Sequence, residues 1–371
     1  MSAPIRVGIV GVNPHRGWAA EAHIPALRSL PSYEITALST TRQESADAAA
    51  AAFGVKLAFG NHHDLVTSRE VDLVVVAVKV AHHREIVDAA LKAGKSVYSE
   101  WPLGLNLDEA QDMVDLAEHM NARTLVGLQS RSNPAVMYAR DLVTQGYLGT
   151  VLSTTIIGSA GLGGSIDQGN SYIVKKENGA SLLRLVAAHS IDALNHVLGD
   201  FSELSAVLDT RRPDITVLES GDRIVKTAPD QVAVIGRLES GTTANLHFRE
   251  GHQGGEMFLW EINGSEGTLR LRAAGGHPGM FAPTISGSRG GDRLAALSVP
   301  ELYTGSTPGL ESLENTTAYS VARMYDTFAT DLHNGSHNAP DFGQALRTFR
   351  VIEAVESAAV SGARVSLSKV I

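Results

Sequence analysis

The clearest chemistry in this sequence lies in the run Val7-Gly8-Ile9-Val10-Gly11-Val12-Asn13-Pro14-His15-Arg16-Gly17-Trp18. Here an apolar strand pattern meets a glycine-bearing turn and then a helix pattern. Such a turn lets backbone approach a phosphate closely, and the helix start supplies free N–H groups. Between the first strand and first helix it suits a dinucleotide pyrophosphate. The spacing departs from G-x-G-x-x-G: Gly11 is present, Asn13 stands where the second glycine belongs, and the longer turn reaches Gly17 and Trp18. Asn tolerates positive φ better than most residues, which keeps the turn feasible. The next strand pattern ends in Ser39-Thr40-Thr41-Arg42, without a carboxylate to hold a ribose 2′-hydroxyl. The hydroxyls of Ser39 and Thr40 with the Arg42 guanidinium suit a 2′-phosphate, so NADP(H) is favoured over NAD(H). Gln129 and Arg131 follow the last strand of this half, where ligands of parallel sheets bind, and can hydrogen-bond substrate or nicotinamide carboxamide.

Other chemistries find no support. The chain has no cysteine, hence no thiolate metal site or thiol nucleophile, and it has neither a G-x-S-x-G elbow nor a Walker lysine. His62-His63 and His82-His83 are adjacent pairs, and neighbours on one element are not expected to face one metal, so no metal is assigned. The 371 residues carry 31 Lys and Arg against 40 Asp and Glu, a net charge of −9 without a basic block, which excludes nucleic acid as the expected partner. No run of about 18 apolar residues and no secretion signal occurs, so the expected protein is cytoplasmic, with no membrane association.

Stepping along the chain gives the elements that must hold these groups. Ile5–Val10, Glu34–Ser39, Val71–Val78, Ser96–Ser99 and Arg123–Leu128 read as strands. They alternate with helices at Gly17–Leu30, Glu44–Phe53, His83–Ala93 and Asp108–His119. Val71–Val78 is nearly all apolar, as a strand covered on both faces requires. The alternation predicts an α/β chain whose first domain, residues 1–130, is a doubly wound parallel sheet. The pattern changes near Leu148-Gly149-Thr150. A strand at Val151–Ile157, a glycine-rich loop from Gly158 to Gly179 and a helix at Ala180–Leu198 come next. Strands are expected at Leu204–Leu208, Gln231–Leu238, Thr242–Phe248, Met257–Ile262 and Thr268–Leu271, with hairpin turns at Ser240-Gly241 and Asn263-Gly264. This predicts a second, α+β domain over residues 131–371, with a large, open, mainly antiparallel sheet. Gly275–Thr307 reads as an irregular excursion, and Ala318–Asn334 and Phe342–Ser361 as helices that can pack back on the first domain.

Taken in order, these pieces resemble the Gfo/Idh/MocA oxidoreductases, the family of glucose–fructose oxidoreductase and inositol dehydrogenase. The resemblance runs through Gly8–Gly11, His23-Ile24-Pro25-Ala26-Leu27, Val71–Val78 with His83, and Ala90–Val97 leading to Glu100-Trp101-Pro102-Leu103. It continues in Asn133-Pro134-Ala135, Gly146-Tyr147-Leu148-Gly149, His189-Ser190-Ile191-Asp192, Asn263–Leu269 and Ala345-Leu346–Ala354. It implies a Rossmann domain followed by an α/β domain whose open sheet supports homodimers or homotetramers. It also implies a nicotinamide dinucleotide near Val78, His83, Glu100 and Trp101, and a sugar or polyol substrate. The long Gly11–Trp18 turn, the Glu100-Trp101 pair and Gln129 look most like the branch holding the yeast galactose-pathway repressor, which is a dinucleotide-binding regulator.

The departures from the family pattern bear on chemistry. Family dehydrogenases read Glu-Lys-Pro where this chain has Glu100-Trp101-Pro102, and Trp can stack on a ring but cannot exchange a proton near neutrality. The family's Asp-x-x-x-His becomes Leu185-x-x-x-His189. By this resemblance His189 is the acid/base candidate, since imidazole titrates near neutrality. Tyr172 or a desolvated Lys176 can replace the lost lysine as a proton relay, and Trp101, Arg131, Tyr172 and Asp192 are the substrate-binding candidates. The resulting expectation is an NADP(H)-preferring sugar, glycoside or polyol oxidoreductase. Its alternative is a catalytically silent, dinucleotide- and sugar-responsive regulator.

Overall fold

The computed structural model describes residues 3–161, 163–251, 254–305, 307 and 309–367. The chain divides into two compact units, 1–129 with 307–347, and 130–306 with 348–371.

In the first unit the strands are β1 (Ile5–Val10), β2 (Tyr33–Ser39), β3 (Leu57–Phe59), β4 (Leu73–Val76), β5 (Ser96–Ser99) and β6 (Thr124–Val126). They form one parallel sheet in the order β3-β2-β1-β4-β5-β6, the doubly wound Rossmann arrangement. Strand order reverses between β1 and β4, which opens a crevice at their carboxyl ends. Val7, Ile9, Leu38, Leu73 and Val75 pack in one core with Leu27 and with Tyr319, Tyr325 and Phe328 of the helix Ala318–Asn334. Side chains of Asn61 and Asn106 accept the Asp64 and Glu109 amides and so start the helices His62–Thr67 and Leu107–His119.

The expected helix over Gly17–Leu30 is shorter: a π-helical turn, Ala19–His23, runs into the α-helix Ile24–Arg28. Pro25 has no N–H to donate and crowds the preceding turn, which explains the widened geometry just before it. The strand β3 and the helix His62–Thr67 were not apparent in the sequence pattern; three and six residues are too few to display a period.

The second unit holds β7 (Val151–Ala160), β8 (Ser165–Ile166), β9 (Phe201–Asp209), β10 (Asp214–Val217), β11 (Arg223–Val225), β12 (Gln231–Leu238), β13 (Thr243–Glu250), β14 (Phe258–Gly264), β15 (Gly267–Ala273), β16 (Thr284–Arg289), β17 (Ala295–Ala296) and β18 (Val365–Ser366). Nine of them form a sheet ordered β17-β16-β15-β14-β7-β13-β12-β9-β18, antiparallel except where β7 runs parallel to β13. Strands β11, β10 and β8 form a separate small sheet. One face of the large sheet is apolar, with Ile156, Leu246, Phe248, Trp260 and Leu271 buried, and Trp260 Nε1 donates to Thr154 Oγ1 at 2.8 Å.

Two expectations are corrected here. The second hairpin turns at Ser265-Glu266 rather than Asn263-Gly264, because Asn263 still pairs with Thr268 and the Ser265 and Glu266 amides donate to Thr150 and Leu148. The segment Gly275–Thr307 also carries β16, β17 and a short helix, Glu301–Thr304. The strand Thr-Ile-Ser-Gly-Ser-Arg was hidden because it lacks apolar alternation; pairing with β15 makes it a strand. The helix Pro134–Thr144, capped by Asn133, is a further element absent from the sequence reading.

Candidate active site

At the first unit's crevice the turn after β1 is held by backbone. Gly11 N–H donates to Ser39 O at 2.9 Å, and Ala77 N–H to Val10 O at 3.0 Å. Gly11 has φ +99°, and a Cβ there would lie 2.5 Å from both the Ala77 carbonyl oxygen and Val78 Cγ1. Only glycine lets the turn press this closely on the end of β4. Asn13 Oδ1 accepts the His15 amide at 2.9 Å, which shapes the turn, and the Gly17 amide donates to Glu21 Oε1 at 3.2 Å. Trp18 Nε1 and Gln129 Oε1 are buried and have no partner among the described residues. A close-approach glycine and two orphaned buried polar atoms fit a dinucleotide, whose phosphates and carboxamide carry the complementary groups.

The residues that follow β2 hold together as a cluster. Thr40 Oγ1 contacts Arg42 O at 2.9 Å and Ser45 Oγ at 2.5 Å, whereas the Ser39 hydroxyl is buried against the Thr40 carbonyl. Arg42 and Thr41 are exposed, and among the described residues no carboxylate pairs with Arg42. His83 is buried, with Nε2 3.0 Å from Val78 O and Nδ1 2.9 Å from Pro102 O. It sits between the turn after β4 and the turn carrying Trp101, and burial pushes its imidazole below the usual histidine range, so its single N–H donates to one of the two carbonyls. Trp101 is buried as well.

Glu100 is fixed by residues that the sequence reading gave no role. His23 Nε2 lies 2.9 Å from Glu100 Oε1, and His23 Nδ1 lies 2.7 Å from Tyr325 Oη. Burial holds the Tyr325 phenol well above its ordinary value, so its O–H donates to Nδ1 and the Nε2–H donates to the carboxylate. Gly127 makes room, since a Cβ there would meet Glu100 Oε2 at 2.6 Å. Glu100 is therefore anchored through His23 to Tyr325.

In the second unit His189 opens the helix Ala188–Leu198, is buried, and stacks on His277 with ring centroids 4.3 Å apart and planes 7° apart. His277 Nδ1 accepts the Gly279 amide at 3.2 Å and faces Ser130 Oγ at 3.2 Å, so its proton sits on Nε2. Burial, and secondarily His189, push the His277 imidazole well below the ordinary range. It is a fixed neutral ring supporting His189. The sequence reading missed His277; its signal was a histidine enclosed by glycines in Gly275-Gly276-His277-Pro278-Gly279. The first two of those glycines are closely packed: a Cβ on Gly276 would lie 2.2 Å from Ser159 O and one on Gly275 2.8 Å from Met280 Cβ.

The remaining candidates separate. Arg131 Nε donates to Asp192 Oδ2 at 2.9 Å and its Nη2 engages Asp192 Oδ1, with Asp192 fully buried. Asp192 thus holds Arg131 in place. Tyr172 is half-buried, and burial raises its phenol, favouring the protonated form. Lys176 is exposed, which corrects the expectation of a desolvated amine there. The buried lysine of this region is Lys226. His196, one turn beyond Asp192, accepts from Arg140 Nη1 at 3.3 Å, and burial with the Arg131 charge lowers its imidazole to about 4. The adjacent histidines His62 and His63 also correct an expectation. Their rings lie 4.0 Å apart, and with Glu85 they bring three ligand atoms within 4.8 Å of one another, because His62 starts a helix and the rings tilt together. Among the described residues no helix is long and apolar enough to cross a membrane.

Residues 5–128 match the family model described as oxidoreductase family, NAD-binding Rossmann fold, and residues 134–273 match that of the Gal80p C-terminal domain. The chain is 28% identical to the galactose/lactose metabolism regulatory protein GAL80 of Saccharomyces cerevisiae, across 100% of this chain and 96% of that one. It is also 28% identical to the dehydrogenase aclE of Aspergillus oryzae, across 98% of each chain. The crystal structure of a super-repressor mutant of Gal80p from Saccharomyces cerevisiae superposes with a TM-score of 0.87 at 26% identity, covering 99% of this chain and 98% of that one.

Proposed function

We propose that this chain, whose residues 5–128 match the oxidoreductase-family model and whose residues 134–273 match that of the Gal80p C-terminal domain, transfers a hydride between a nicotinamide dinucleotide and the hydroxyl or carbonyl carbon of a sugar, glycoside or polyol. A bound nicotinamide supplies the hydride chemistry; the protein's part is to orient it and to handle one proton. Gly11, Asn13, Gly17 and Trp18 would hold the diphosphate side, Thr40 and Arg42 the ribose, and Trp101 and Gln129 the nicotinamide end. NADP(H) is the proposed preference, because the end of β2 offers an exposed guanidinium where a carboxylate would select against the 2′-phosphate.

The observation that carries the enzyme reading is the His189–His277 pair. A buried imidazole stacked on a second, neutral imidazole is a positioned proton acceptor for a hydroxyl group. His189 would take that proton, with Tyr172 and the Asp192-held Arg131 as further substrate contacts. Trp101 and Leu185, at the positions of the family lysine and aspartate, leave His189 without their help, so a slower proton transfer is expected.

The second reading is a dinucleotide-binding regulator, favoured by the full-length likeness to GAL80 together with those same two replacements. Steady-state reduction of NADP with aldoses, glycosides and polyols separates the two. Turnover that drops about 10²–10⁴-fold in His189→Ala, as loss of a general base does, supports the enzyme. Dinucleotide binding without turnover on any of them supports the regulator. We also propose that a second copy covers the outer face of the large sheet, where Val207 on β9 and Ile235 on β12 stand exposed as diagonal neighbours.

A further inference from the structure

The second unit contains a cavity of about 240 Å³ that includes neither His189 nor His277 in its wall. Most of the wall is apolar, supplied by Ile166, Ile173, Leu182, Leu185 and Ile215. Into this lining project Lys226 and Glu250, whose ammonium and carboxylate are hydrogen-bonded to each other. Their side chains are 3% and 17% exposed. Lys226 is placed by backbone: it follows β11, and its amide donates to Pro213 O at 2.7 Å. Glu250 ends β13.

A buried ion pair in an apolar wall is expensive unless its remaining hydrogen-bonding capacity is met. An ammonium has three donors, and among the described residues Lys226 Nζ donates only to Glu250. Glu250 retains acceptor capacity of its own, and burial, reinforced by Asp230 and opposed by Lys226, raises its carboxyl. A donor and an acceptor therefore sit side by side at the polar end of an apolar space. The charged groups in the wall are one ammonium and two carboxylates, the second being Asp167, whose Oδ2 accepts from Asn170 at 2.9 Å. That balance disfavours an anion. The cavity is smaller than the roughly 300–1,000 Å³ of drug-sized sites, so its ligand has about a dozen non-hydrogen atoms or fewer.

We propose that this cavity is a binding site for a small uncharged alcohol with an apolar body, whose hydroxyl oxygen accepts from Lys226 and whose O–H donates to Glu250. This site goes beyond the hydride-transfer reading and does not rest on it. Leu185 contributes to the wall; in place of a family carboxylate it makes that part of the space apolar.

Calorimetric titration of the full chain with cyclohexanol, methylcyclohexane and cyclohexanecarboxylate tests the assignment without any turnover. Saturable millimolar binding of cyclohexanol is expected, with cyclohexanecarboxylate at least about tenfold weaker. The double variant Lys226→Met/Glu250→Leu replaces the pair by apolar groups, a change that buried pairs often tolerate. It should weaken cyclohexanol about tenfold or more while leaving methylcyclohexane bound as before. Ile173→Trp, which fills the space, should abolish binding of both, and it keeps the test decisive if the double variant fails to fold. Absence of saturable cyclohexanol binding, equal affinity for the carboxylate, or unchanged binding in Ile173→Trp would each overturn the proposal. None of these outcomes alters dinucleotide binding, so failure here is distinguishable from failure of the dehydrogenase reading.

Discussion

The dinucleotide crevice of the first unit and the imidazole pair of the second are built by opposite means. The crevice is made by backbone: the adjacent ends of β1 and β4, a glycine that must be a glycine, and carbonyls lying against His83. The pair in the second unit is made by side chains from distant segments, with Ser130, His189 and His277 meeting only in the fold. A backbone-built crevice should tolerate side-chain divergence, such as Asn13 in place of glycine. Side-chain-built sites should not, and it is at Leu185 and Trp101 that this chain differs from the acid/base pattern implied by the sequence resemblance.

The sharpest way to break that contrast is Gly11→Val. Its Cβ would overlap the Ala77 carbonyl, so dinucleotide affinity should fall by about a hundredfold or more, read by titration of protein fluorescence. Retained affinity would mean the turn does not face the ligand. On the other side, His277→Phe keeps a ring against His189 but strands the Gly279 amide and the Ser130 hydroxyl. We expect kcat to drop about tenfold with dinucleotide affinity unchanged, and the pH profile of kcat to move; a purely structural His277 would leave that profile in place.

Smaller effects sharpen the comparison. His196 is held at about 4 when folded, against roughly 6.5 for a free histidine. Between those values the unfolded chain binds a proton that the folded chain does not, so stability falls as pH is lowered through that window and is unaffected above it. The loss from His196 is about 1–2 kcal/mol, and His196→Gln should flatten the urea-denaturation profile by that amount. His83, His277, His62 and His247 are displaced in the same direction and add to the slope that remains. Least of all, Arg42→Ala should weaken NADPH by about fivefold and leave NADH unchanged, because an exposed guanidinium offers a solvent-screened contact to the 2′-phosphate. Equal losses for both dinucleotides would remove the basis for the NADP(H) preference.

Legibility in the sequence followed the same division. The parallel sheet could be read because Val71–Val78 is nearly all apolar and the strands read from the sequence alternate with periodic helices. Leu57–Phe59 and Thr284–Arg289 could not, being too short or too polar to show a period. The Gly11 turn was visible as a local motif, whereas the Glu100–His23–Tyr325 chain spans residues 23 to 325 and leaves no local trace. Exposure was equally hidden: Lys176 is in solvent, while Lys226, beyond three intervening strands, is the buried amine.

The most direct measurement is titration of the wild-type chain with NADPH and NADH, monitored by tryptophan quenching or calorimetry. The predicted result is saturable binding of NADPH, weaker binding of NADH, and neither in Gly11→Val. Failure of both dinucleotides to bind the wild type at millimolar concentration would contradict the account at its root.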